Sequence, residues 1–123
     1  MSVVAEAALR AVGTRFRLHG RDADGLDCVG LVALALRAGG HRGEVPTGYA
    51  LRGGDVAMLD RLLVRVTEAQ PGDVLAMAVG PGQFHLGIRT AAGFVHADAG
   101  LRRVVARPGE PPWPILGVWR MEG

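Results

Sequence analysis

The stretch Asp27-Cys28-Val29-Gly30-Leu31-Val32 constrains this chain more than any other. It contains the only cysteine and opens an apolar run from Cys28 to Leu36. A run without a polar face reads as a helix buried all round. Asp27, directly before it, is a good N-cap. The helix dipole and the free N–H groups at that end favour an anionic sulfur, and the thiolate is the nucleophilic form. Gly30 falls in the first turn, where glycine costs about 1 kcal/mol relative to alanine. Close approach of another backbone is the usual reason for a glycine there. Cys28 has two readings: a small buried hydrophobe, as free cysteine often is, or a nucleophile set at a helix start.

The totals narrow the class. A length of 123 residues suits one domain, and residues 1–123 are read as a single unit. One cysteine excludes an intramolecular disulfide and a multi-cysteine zinc site. The formal charge is +2 and every basic side chain is arginine. The arginines are scattered, with no run longer than Arg102-Arg103 and no aromatic platform beside them, so nucleic acid is not an expected partner. Ser2 is the only serine, which argues against a serine nucleophile, and there is no asparagine to orient a histidine. No basic-then-apolar leader and no run of about 18 apolar residues is visible. We therefore expect synthesis in the cytoplasm without a signal peptide, and no membrane insertion.

Apolar residues recur at helical spacing over residues 3–12 (Val4, Ala7, Ala8, Ala11), with Gly13 as a stop. Residues 14–25 read as a loop leading to the central helix, which ends at Gly39-Gly40. Residues 41–54, with Pro46 and the only tyrosine, Tyr49, read as a surface loop. Asp55 is expected to cap a short helix to about Leu63, with Val56, Leu59, Leu62 and Leu63 inward. Strands follow at 74–79, 83–89, 94–98, 101–107 and 115–120, separated by Gly- and Pro-containing turns. Four prolines keep 108–114 out of a central strand. Helices followed by an antiparallel meander, closed by the last strand, indicate an α+β fold.

Two of the four histidines fall on adjacent strands. Alternation places His85, Gly87 and Arg89 on one face, and Phe94, His96 and Asp98 on one face of the next strand. A hairpin with Arg89 opposite Phe94 sets Gly87 across from His96, His85 across from Asp98, and the two histidines on a diagonal, with open space beside Gly87. The other face, Leu86, Ile88, Val95 and Ala97, is apolar. Thiol attack on an amide needs a base within reach and a third group to hold that base. Cys28 then serves as nucleophile, His85 as base and later acid, and His96 as the orienting group, with Asp98 as a substitute and backbone N–H groups at the helix start for the oxyanion. Two half-exposed sheet histidines are the plain alternative. A zinc site of His85, His96 and Asp98 is another, but it leaves Cys28 without a task. His19 and His41 lie in loops without an evident partner and are read as solvated.

Five segments, in this order, resemble the NlpC-type cell-wall peptidases, a papain-like clan, over nearly the whole chain. They are residues 13–20, with Phe16 as the aromatic; Asp27-Cys28-Val29-Gly30-Leu31-Val32; Pro71-Gly72-Asp73-Val74-Leu75; His85-Leu86-Gly87-Ile88; and Phe94-Val95-His96-Ala97. The resemblance implies a papain-like fold, N-terminal helices with a central nucleophile helix packed on an antiparallel β-meander. It implies hydrolysis of a stem-peptide amide of peptidoglycan, usually between D-glutamate and diaminopimelate, with no cofactor or metal and with Cys28, His85 and His96 in the catalytic roles. Small size and a tail containing Trp113 and Trp119 are most similar to the branch found in phage and gene-transfer-agent tails. That branch implies tail proteins as partners and action in the periplasm within a phage-like particle.

One departure stands out. The family commonly has tyrosine where this chain has Phe16, which keeps the ring and lacks the donor. Loss of an oxyanion donor costs on the order of 10²–10³ in rate. Tyr49 or His19 is a conceivable replacement on the substrate side, and Asp27 is a further candidate beside the nucleophile. The competing expectation is a tail component that binds peptidoglycan with weak or no activity. A primed Cys28 would be alkylated by iodoacetamide at about pH 6, whereas an inert buried thiol would not.

Overall fold

The computed structural model describes residues 2–43, 45 and 56–121. Tyr49 and Asp55 lie outside the described residues. The first helix, α1 (Val3–Arg10), is capped by Ser2, whose hydroxyl accepts the Ala5 N–H at 3.1 Å, and it buries Val4, Ala5, Ala7 and Ala8. The segment expected as a plain loop contains a small hairpin, β1 (Arg21–Asp22) and β2 (Gly25–Leu26), with isolated bridges Arg15–Arg103 and Phe16–Leu26. Two-residue strands carry no alternation, so the pattern could not reveal them.

The central helix α2 spans Cys28–Ala38. It is buried from Cys28 to Val32 and again at Ala35 and Leu36, but Arg37 and Ala38 are exposed, so burial all round holds only for its first half. A third helix, α3 (Ala57–Leu62), is shorter than expected and leads into an unexpected strand, β3 (Val64–Val66).

Five strands follow: β4 (Val74–Gly80), β5 (Gln83–Arg89), β6 (Gly93–Asp98), β7 (Arg103–Pro108) and β8 (Ile115–Arg120). With β3 they form one sheet, ordered β3-β8-β4-β5-β6-β7, with antiparallel neighbours. Only β4 to β7 are a meander. The last strand does not close the sheet beside β7 but returns to β4, pairing Val74 with Trp119 and Leu75 with Val118. Side chains explain the return. Trp119 is fully buried and its indole N–H donates to Asp60 Oδ1 at 2.8 Å. The Arg120 guanidinium donates to both oxygens of buried Asp73, at 2.9 and 2.8 Å. Asp73 also accepts the Gln70 N–H, so the Pro71-Gly72-Asp73 turn clamps β8 beside β4.

The helices cover one face of the sheet. Val29, Leu31, Val32 and Leu36 of α2 share a core with Leu86, Ile88, Val95 and Ala97, the face expected to be apolar. Each such aliphatic side chain contributes roughly 1.5–3 kcal/mol when fully buried. The opposite face carries a smaller cluster of Leu75, Met77, Phe94 and Val118, with Trp113 packed on it.

Gly30 shows why the first turn of α2 tolerates glycine. A Cβ there would collide with the carbonyl oxygen of Gly20, and a Cβ on Gly20 would collide with that of Gly25. The loop backbone therefore lies directly on the helix start. Gly30→Ala should cost about 2 kcal/mol or more, despite alanine's better helix propensity. Urea denaturation would show this as a lower midpoint with an unchanged slope; a neutral or stabilising effect would mean that the loop can lift away.

Candidate active site

The site begins with Asp27. Its carboxylate is fully buried, and Oδ1 accepts the Gly30 N–H at 2.8 Å as an N-cap, while Oδ2 accepts the His19 N–H at 2.7 Å. Asp27 is thus a structural anchor that ties the 15–20 loop to the head of α2. His19 is exposed and left-handed, with φ 61°, and its backbone serves this anchor. Phe16 is half-buried and packs on the main core, its N–H donating to the Arg102 carbonyl at 2.9 Å.

Cys28 is fully buried at the start of α2. The backbone N–H groups of Leu86, the residue after His85, and of Val29 and Cys28 at the helix start lie near enough to the sulfur to favour its charged form. The ladder between β5 and β6 runs from Arg89–Phe94 through Ile88–Val95 to Gly87–His96, the expected register, and stops there, one step short of a His85–Asp98 pair. The thiol therefore meets β5 where β6 no longer pairs with it.

The two histidines form the diagonal contact that the register requires. His85 Nε2 and His96 Nδ1 lie 2.8 Å apart, with ring planes at 86°. His85 is half-buried and His96 fully buried. No open space lies beside Gly87: a Cβ there would stand 3.3 Å from the Met77 methyl and 3.5 Å from the Phe94 ring. Two facing nitrogens at hydrogen-bond distance are also closer than a zinc ion between them would allow, since each Zn–N bond takes about 2 Å. Asp98 does not hold His85. Its Oδ1 accepts the Leu101 N–H at 3.0 Å across the turn after β6, and it acts on the histidines through charge alone. His41, expected to be solvated, has a partner: its Nε2 lies 3.3 Å from the Leu62 carbonyl. Tyr49 falls outside the described residues.

The electrostatics correct the expectation of a primed thiolate. Burial pushes the Cys28 thiol up to about 12, and the Asp27 charge adds to this, while the N–H groups of Leu86, Val29 and Cys28 pull the other way. Burial pushes His85 down to about 4, with His96 acting in the same sense and Asp98 against it. His96 is lowered too, first by burial; Asp98 opposes this and Arg107 adds to it. At neutral pH the resting site is a neutral thiol beside neutral imidazoles. Helix-start donors were legible in the sequence, but the desolvation that outweighs them was not.

Neither a protein-family model nor a curated protein matches the sequence. Solved structures do. The NlpC/p60 domain of the peptidoglycan hydrolase SagA superposes with a TM-score of 0.70 at 19% identity, over 97% of both chains. NlpC1 from Trichomonas vaginalis gives 0.74 at 19% identity, over 95% of this chain and 43% of its own. The peptidoglycan hydrolase RipB from Mycobacterium tuberculosis gives 0.65 at 23% identity, over 97% of this chain and 63% of its own. The chain has the NlpC/p60 fold. It spans less than half the length of NlpC1, and at these identities the likeness is one of architecture.

Within this NlpC/p60 fold, two residues near the histidines were not read from the sequence as part of the site. Trp113 packs at the pair, its ring centroid 5.8 Å from that of His96 and 6.1 Å from that of His85, and the exposed Arg107 stacks on Trp113 at 5.5 Å. Arg107 sits on a strand of ordinary alternation, and Trp113 in a proline-rich segment that reads equally as core or interface. Only the return of β8 to β4 brings that segment across the histidine face.

Two measurements check the electrostatics. Between pH 6.5 and about 4 the unfolded chain protonates a histidine that folded His85 keeps neutral. Stability should therefore fall as pH drops through that window, by about 3 kcal/mol from this group. Denaturation at a series of pH values should show this, with a flatter dependence in His85→Gln. Separately, iodoacetamide at pH 8 should alkylate the folded protein at least about ten times more slowly than the urea-unfolded chain; equal rates would place the sulfur in water.

Proposed function

We propose that this protein is a cysteine peptidase that hydrolyses a stem-peptide amide of peptidoglycan. The observation that carries the reading is the His85–His96 pair, Nε2 to Nδ1 at 2.8 Å, on the strands against which the helix headed by Cys28 packs. With Nε2 engaged, Nδ1 is the His85 nitrogen left to take the thiol proton. The solved NlpC/p60 structures described as peptidoglycan hydrolases support the substrate class.

The chemistry starts from the neutral pair. As the sulfur bonds to the carbonyl carbon, the thiol proton passes to His85 and the carbonyl oxygen becomes an oxyanion. N–H groups at the head of α2 are the donors assigned to it here. His85 then gives its proton to the leaving amine as the C–N bond breaks, leaving a thioester. Water attacks the thioester with His85 as base, and the carboxylic acid and the free thiol are released. His96 holds the base throughout. Burial first, and Arg107 with it, disfavour an imidazolium at His96, against the charge of Asp98. The bond between D-glutamate and diaminopimelate is the target that the motif resemblance implies. Delivery within a phage or gene-transfer-agent tail belongs to the same proposal and rests on that resemblance alone.

A second reading has its own support. A fully buried neutral thiol, together with Phe16 in place of a hydroxyl-bearing ring, fits a weakly active or inactive peptidoglycan-binding component of the same fold. Digestion of purified peptidoglycan with mass spectrometry of the fragments separates the two. Cys28→Ala should abolish cleavage with the fold intact, and His96→Ala should lower turnover by roughly 10²-fold, within the range for general-base catalysis. Cleavage by the alanine variant of Cys28 would rule out the mechanism; no cleavage by the native chain would favour the second reading.

A further inference from the structure

Arginines that are scattered in the sequence are gathered by the fold at one place. Residues 13–16 lie along β7, the edge strand of the sheet. The Gly13 N–H donates to the Val104 carbonyl, the Val104 N–H to the Thr14 carbonyl and the Phe16 N–H to the Arg102 carbonyl. Arg15 and Arg103 stand opposite each other across this antiparallel bridge. Both are exposed, as are Arg17 and Arg102 beside them. Like charges directly opposite on neighbouring strands destabilise a sheet. None of these four arginines pairs with a carboxylate among the described residues. Arg102 is also left-handed, with φ 61°, a conformation that a long side chain seldom adopts. The fold thus collects positive charges that it does not itself neutralise.

The arginine pair lies on the histidine face. Asp98 is two residues after His96, so the two side chains share a face of β6. Asp98 pairs with Arg103 on β7, and Arg103 with Arg15 beyond it, so the three form a row across the sheet. With neighbouring strands about 4.8 Å apart, Arg103 stands about 10 Å from the strand that carries His85, and Arg15 about 5 Å further. The same segment is joined to the nucleophile. The Arg17 N–H donates to the Leu26 carbonyl and the Leu26 N–H to the Arg15 carbonyl, two residues before Cys28. Asp98 stands between the histidines and Arg103, with Oδ1 taken by the Leu101 N–H. Its charge disfavours a second carboxylate beside the base and leaves the far side, between Arg103 and Arg15, open to one.

We propose that Arg103 and Arg15 form a carboxylate-binding subsite that selects acidic peptides with a free carboxylate roughly 10 Å from the cleaved amide. Two guanidinium groups can share one carboxylate through charge-assisted hydrogen bonds, which are among the strongest. A carboxylate between them also relieves their mutual repulsion. In a stem peptide with diaminopimelate, such a group comes from the peptide C-terminus or from the distal carboxylate of diaminopimelate. The inference rests on the reading of this chain as a stem-peptide hydrolase.

Calorimetric titration of full-length Cys28→Ala measures binding without cleavage. The probes are synthetic stem peptides containing D-glutamate and diaminopimelate, with the C-terminal carboxylate, the distal diaminopimelate carboxylate, or both, converted to carboxamide. One of the two conversions should weaken binding by about 10-fold or more at low salt, and the one that does so identifies the source. With Arg15→Gln and Arg103→Gln added, the same conversion should change binding by less than about 2-fold. The two substitutions should leave the urea midpoint unchanged or raise it, because they remove a like-charge pair. Discrimination that survives them, or equal binding of peptides with and without both carboxylates, would overturn the proposal. A lowered midpoint would also overturn it, by giving the arginines a role in the fold. Polyphosphate that binds at these arginines more tightly than any of the peptides would overturn it in favour of a phosphate polymer. If no peptide binds at millimolar concentration while the native chain still digests peptidoglycan, the subsite falls and the peptidase reading stands. Selective binding of the free carboxylate by a chain whose native form cleaves nothing would overturn the peptidase reading and leave the subsite standing.

Discussion

Both oxygens of one fully buried carboxylate receive backbone N–H groups, and the position of everything in the site follows from that. Asp27 takes the Gly30 N–H from the helix and the His19 N–H from the loop. Burying a carboxylate costs several kcal/mol unless it is well bonded; two N–H donors and the positive end of α2 offset that cost. The loop is drawn onto the helix so closely that residue 30 has room only for glycine. The head of α2 is thereby fixed, with the Leu86 N–H of β5 near enough to the sulfur to favour its charged form. The same charge opposes ionisation of the neighbouring thiol. A scaffold that places the nucleophile by burying an anion beside it cannot also hold that nucleophile as a thiolate at rest, so proton removal has to accompany attack.

Local features of the chain were legible and non-local ones were not. The register of β5 on β6 followed from Ala91-Ala92-Gly93 and from alternation on either side, because a tight connection leaves little freedom to slip. The start of α2 followed from Asp27 and the apolar run. The partner of β8 did not follow from anything local. It depends on Arg120 finding Asp73 and on Trp119 finding Asp60, pairs separated by 47 and 59 positions. For the same reason Trp113 had no readable role: its place over the histidines exists only once β8 lies beside β4. The protonation state was misjudged for a different reason. Motif and helix dipole are visible in a sequence, whereas complete exclusion of water from Cys28 is a property of the packed core.

The sheet itself poses the last question, since α2 and the histidines are on opposite faces of it. A thiol on the helix side and an imidazole on the other can meet only around an edge, and an interior strand such as β5 has none. The structure resolves this by ending the β5–β6 ladder early. From Arg89–Phe94 to Gly87–His96 the two strands are paired; past Gly87 the β5–β6 pairing ends, and there the Leu86 N–H lies near enough to the sulfur to favour its charged form. Gly87 sits at this boundary. A Cβ there would stand 3.0 Å from the Val95 carbonyl and press on Met77 and Phe94, the side chains that pack beneath the histidines. A side chain at 87 would spread the ladder one residue too soon and shift the His85 ring relative to His96, whose contact depends on the Gly87–His96 pairing. The glycine after the base therefore keeps the strands closed as far as the histidine pair needs and lets them part where the sulfur needs the gap.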